Sequence, residues 1–133
     1  MNPLSPSKAA RVASWAARLI AAAILTIASL AKLTGAADSV ALFSLLGVEP
    51  WGRLLLGAIE LPTALLLLWP RTAGLGGLLA LGLMTGAILT HLLKIGVSYG
   101  GDPSLFLMAL STFTAAAATV YLHRGELPFR RSP

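Results

Sequence analysis

Cysteine is absent from the 133 residues, which removes thiol–disulfide chemistry, iron–sulfur ligation and thiolate zinc sites from consideration. Charge is scarce too. Only 11% of the residues are Asp, Glu, Lys or Arg, against about 25% in an average soluble domain. No phosphate loop, nucleophile elbow, metal-ligand cluster or carboxylate pair within one apolar run is present. A self-contained soluble-type enzyme is therefore not supported, and no catalytic activity of the chain's own is expected. The formal charge of +5 would suit nucleic acid, but the basic residues stand at the ends of apolar runs and leave no basic aromatic surface. Membrane orientation is the better use for them.

What is present is hydrophobic: 56% of the chain, gathered into long runs instead of amphipathic stripes. The expected fold class is all-α, a polytopic membrane protein built as an antiparallel bundle of four transmembrane helices. A polar tail, 1–12, precedes a membrane domain, 13–124, with spans at about 13–33, 51–69, 73–93 and 104–122. A basic tail, 125–133, closes the chain. The second span has Trp51 and Trp69 at its ends, as in an aromatic belt. Pro70-Arg71-Thr72 then makes a tight turn, so spans two and three are antiparallel neighbours. The third has no formally charged residue between Arg71 and Lys94, enough to cross a bilayer. Its Gly82-x-x-x-Gly86 pair reads as a helix-packing motif. Residues 39–46 read as either a short interfacial helix or part of a re-entrant turn. Seven of the ten basic residues, Lys8, Arg11, Arg18, Arg71, Arg124, Arg130 and Arg131, share one side, with Lys32, Arg53 and Lys94 on the other. That bias puts both termini in the cytoplasm.

Glu60 is the unusual residue. It lies about 12 Å inside the outer end of span two at 1.5 Å per residue. A carboxylate at that depth must face other helices or a wet cavity and find a partner. Three readings stand beside one another: a helix tie with Lys32, a ligand or proton site, and a protonated bystander. Gly57 and Pro62 bracket it, loosening the backbone and leaving room. Lys32 and His91 fall in the same outer half, with Arg53, Tyr99 and Asp102 at its mouth. Together they predict a small polar cavity open to the outside. Arg18 and Lys32, at the two ends of span one, read most simply as snorkelling cations. His91 serves equally as a cap, a packing residue or a ligand contact. Haem is disfavoured, because His123 belongs to the opposite face and bis-histidine ligation needs two. No metal site is expected.

The order and spacing of several short patterns carry a family resemblance. They are Arg18, Ala31-Lys32-Leu33, Gly57-x-x-Glu60, the stretch WPRTAGLGGLL over 69–79 and MTGAILTHL over 84–92. Across about residues 14–124 the chain resembles the DoxX-like family of four-helix membrane proteins. The resemblance implies a bundle in a bacterial inner membrane and maps the family's lysine, glutamate and histidine onto Lys32, Glu60 and His91. It further implies association with membrane redox or oxidative-stress systems, though relatives differ widely in role. Three functions follow. One is a binding or accessory subunit for a quinone-like or lipid-like ligand, with Lys32 or His91 as donor and Glu60 as proton carrier. No redox centre is encoded, so electrons would come from a partner subunit. The second is a structural or assembly protein, docking a larger complex or forming a homo-oligomer. The third is a small proton-coupled transporter.

Overall fold

The computed structural model describes residues 6–127; the ends of the two expected tails, 1–5 and 128–133, lie outside the described residues. Five helices and two short turns account for most of the chain: α1 (Lys8–Leu33), α2 (Ala37–Leu45), α3 (Trp51–Leu68), α4 (Ala73–Thr90) and α5 (Ser104–Leu122). A π turn (His91–Ile95) continues α4, and a 3-10 turn (Arg124–Glu126) follows α5. No strand occurs among the described residues. Four of the helices, α1, α3, α4 with its π turn, and α5, are long and apolar enough to cross a membrane. They form an antiparallel ring in chain order, with α5 closing against α1, and α1 and α4 on a diagonal. Both described chain ends therefore lie at one end of the bundle, called here the terminal end. The α1–α2–α3 and α4–α5 connections lie at the other, the loop end.

The bundle is inside-out relative to a soluble domain. Its core is dominated by alanine, including Ala21, Ala22, Ala64, Ala80 and Ala116, with Leu25, Leu67 and Met84. Large apolar side chains such as Val12, Ile27, Leu65 and Leu93 point outward. Lipid tails are as apolar as leucine, so nothing drives leucine inward, and small residues let backbones approach. Buried Thr63, Thr112 and Thr119 return their hydroxyls to carbonyls one turn back, those of Ile59, Met108 and Ala115. Each polar side chain is thereby satisfied within its own helix.

The helix that carries span one extends on the N-terminal side of residue 13. Ser7 accepts a hydrogen bond from the Ala10 amide at 3.1 Å, capping a helix that starts at Lys8 and takes in the end of the expected tail. At the other end of α1, Gly35 takes φ +71°. That left-handed turn lets the Ala36 amide reach the Ala31 carbonyl and the Gly35 amide reach that of Lys32. Gly47 repeats the device after α2. The stretch left open between interfacial helix and re-entrant turn is thus the nine-residue helix α2. It packs on α3 and α1, with Phe43 buried against Gly52.

Two corrections concern packing. Arg18 does not snorkel outward; it is 2% exposed. Its Nε donates to the Leu67 carbonyl at 2.6 Å and its Nη2 to that of Leu68 at 3.0 Å, while the guanidinium stacks on Trp15. The last carbonyls of α3 have no helical donors. Arg18 and the Thr72 hydroxyl, 2.8 Å from the Leu66 carbonyl, supply them. Arg53 mirrors this at the loop end, donating from Nη1 to the Lys32 carbonyl and holding Glu49 through Nε and Nη2. Each of the antiparallel helices α1 and α3 thus caps the other with an arginine. The second correction is to Gly82 and Gly86, read as a packing pair. A side-chain carbon at either would meet nothing within 4 Å. The close-packed glycines are Gly52, Gly57, Gly74, Gly76 and Gly77; at Gly76 the Leu67 backbone nitrogen would stand 2.8 Å from an added carbon.

Candidate ligand cavity

Four spans that pack tightly near the α3–α4 turn leave a central void of about 410 Å³ in the loop half of the bundle. All five helices line it, and α2 contributes Leu42 and Phe43, with Leu46 just after its end. Leucine, isoleucine, methionine and alanine form most of its wall, and the polar contributions come mainly from Lys32, Glu60 and His91. Such a wall, largely apolar with a few converging polar groups, is typical of a small-molecule site. The glycine pair has a role here. Gly82 and Gly86 line the void yet are exposed, so the wall at this face of α4 is thin and opens laterally.

Lys32 reaches Glu60 because of Gly57. An added carbon at Gly57 would sit 3.1 Å from Cβ of Lys32 and 3.0 Å from Cγ of Leu33, so the missing side chain lets the end of α1 lie on α3. Ser29 fastens this crossing, donating to the Gly57 carbonyl at 2.8 Å. The lysine then runs past Gly57 to place its Nζ 3.1 Å from Oε1 of Glu60. Lys32 therefore turns inward to an ion pair, in place of the expected snorkel. Glu60 is 4% exposed, and its second oxygen, Oε2, has no partner.

His91 opens the π turn at the end of α4. Its Nδ1 lies 2.9 Å from the Ala87 carbonyl, its ring leans on Phe106 at 5.5 Å between centroids, and its Nε2 is buried without a partner. π turns often mark functional positions, since the extra residue re-aims a side chain. A buried polar atom with no partner is uncommon and calls for an explanation. Two of them belong to groups lining one cavity.

The supporting residues divide. Gly57 shapes the lysine's path as described. Pro62 is exposed on the outer face of α3, and it removes the amide that the Ala58 carbonyl would take. Arg53 is engaged with Glu49 and the end of α1, and does not line the cavity. Tyr99 pairs with Asp102 through the backbone of the α4–α5 loop, also away from the cavity wall. Sequence reasoning missed the lid residues on α2 and Phe106. It also missed the window at Gly82 and Gly86, whose spacing had the look of a packing motif.

A second polar cluster stands at the terminal end. Ser14 Oγ is 2.7 Å from Nε2 of His123, whose Nδ1 is 3.0 Å from Oε2 of Glu126. The order serine, histidine, carboxylate resembles a catalytic relay, but Ser14 lies inside α1, where backbone amides are spent on the helix. The cluster works as a latch, joining α1 to the segment after α5. Leu127, buried beside Gly74, completes it.

A family model described as the DoxX-like family matches residues 16–120 of the chain. No curated protein and no solved structure matches it.

Proposed function

The chain belongs to the DoxX-like family, and from that premise we propose that this membrane protein binds a small amphiphile, lipid-like or quinone-like, in the cavity beside Glu60. One observation carries the reading. Three ionisable residues from three different spans converge on a single apolar void, and two of their buried polar atoms lack partners. A scaffold needs no void at the centre of its ion pair. The lateral opening at Gly82 and Gly86 supports access from the bilayer. The bias of basic residues supports cytoplasmic termini, so the cavity would face the outer leaflet of a bacterial inner membrane. In this reading the chain is an accessory subunit of a membrane redox or stress-response system. It presents or stores the amphiphile, while a partner supplies any electrons.

The test is native mass spectrometry of the protein drawn gently from its own membrane, as wild type, Glu60→Gln and Gly86→Leu. The expected result is a small-molecule adduct on wild type that is lost or much reduced in both variants. Gly86→Leu adds bulk at the cavity wall and leaves Lys32 and Glu60 unchanged, so its loss cannot be blamed on an unpaired Lys32. An adduct equally abundant in all three, or none on wild type, overturns the proposal. The assembly reading draws support from the Lys32–Glu60 tie and the paired arginine caps. A bare bundle held only to another protein would favour it.

A further inference from the structure

The proposed site, if it binds an amphiphile, also selects the chemistry of the head group, and this selection rests on the reading above. The Ala87 carbonyl can only accept, so the Nδ1 of His91 beside it bears the proton. In that tautomer Nε2 is a bare acceptor, the reverse of the donor role expected for His91. Across the cavity, Oε2 of Glu60 is a second bare acceptor. Of the donors on the wall, Lys32 Nζ meets Oε1 of Glu60 and the Thr90 hydroxyl is spent on the Gly86 carbonyl at 2.8 Å, and neither reaches His91 Nε2 or Glu60 Oε2. What these two atoms lack is a donor.

We propose that the cavity recognises an amphiphile through a neutral hydroxyl, phenolic or alcoholic, that donates to His91 or Glu60. A carbonyl or ether head could take a remaining N–H of Lys32, yet as an acceptor it leaves both atoms unpaired, which a buried site penalises. A cationic amine would donate, but it would sit in the same small void as the Lys32 ammonium. The remaining wall is apolar and takes the attached ring or chain.

The experiment titrates the full chain in lipid nanodiscs with 4-octylphenol and with its methyl ether, 4-octylanisole, read by native mass spectrometry. The two share size and shape and differ in one donor. Concentrations are expressed as mole fraction in the nanodisc lipid, which removes their different partitioning. The expected result is half-saturation by the phenol at a mole fraction at least about tenfold lower than by the ether. His91→Leu or Glu60→Gln should shrink that ratio, and Gly86→Leu should abolish binding of both. Equal binding of the two probes, lost in Gly86→Leu, overturns the hydroxyl preference and leaves the ligand site standing. No binding of either, or binding untouched by Gly86→Leu, overturns both. A preference that survives in both His91→Leu and Glu60→Gln overturns the assignment to these acceptors.

Discussion

Arg18 shows how one residue can matter more through its geometry than through its charge. A guanidinium has five donors in a fixed fork and stays protonated, which suits it to bind two adjacent carbonyls at a helix end. Hydrogen bonds to charged groups contribute about 1.5–3 kcal/mol each. Replacing Arg18 by Met should therefore lower stability by about 3 kcal/mol, measured by reversible unfolding in mixed lipid and denaturing detergent. Arg11→Met, on an exposed position of the same helix, should change little. Equal effects at the two sites would show that the clasp contributes nothing. Glu60 and Lys32 follow a different logic. Their pairing offsets the cost of two charges at membrane depth, and it still leaves one carboxylate oxygen free for chemistry.

Helix α4 is divided between packing and access. Near its start, Gly76 lies against the α3 backbone, where any side-chain carbon would overlap the chain. Nearer its end, Gly82 and Gly86 face open space. The same substitution should then have opposite signs. Gly76→Ala should destabilise by about 1–3 kcal/mol through overpacking. Gly86→Ala should stabilise by up to about 1 kcal/mol, because alanine favours helix over glycine and has nothing to strike. Thermal unfolding of both variants in one detergent reads the contrast. A loss at Gly86 as large as at Gly76 would restore the packing role that its spacing suggests. At the same end of the bundle, α2 bridges α1 and α3 and sets Phe43 over the cavity as a lid.

The four-span ring gives the molecule two unlike ends. The terminal end is closed by the latch of Ser14, His123 and Glu126 and by the Arg18 clasp. The loop end holds the void. Which end faces the cytoplasm is open to a direct check, because the chain has no native cysteine. Single substitutions Ser98→Cys and Gly125→Cys place a thiol at exposed positions near the loop end and the terminal end respectively. An impermeant maleimide should label Ser98→Cys on intact cells and Gly125→Cys only after lysis. The reverse pattern would overturn cytoplasmic termini and turn the cavity inward.

Hydropathy by itself determined the four spans, their antiparallel order and the depth of Glu60, because apolar length and tight turns such as Pro70-Arg71-Thr72 are local properties. It also placed Lys32, Glu60 and His91 in one half of the bundle, since depth follows from counting residues along a helix of fixed rise. Only the tertiary structure decided where their side chains go. Rotation of a membrane helix is weakly encoded when its faces are almost equally apolar, and contacts between distant segments settle it. Lys32 turned inward because Gly57 lies across from it, 25 residues further along the chain, a separation that no local pattern records. Arg18 turned inward because the α3 carbonyls there lacked donors. Gly82 and Gly86, alike in sequence to any packing pair, became a window because α3 and α5 leave the space beside them unfilled.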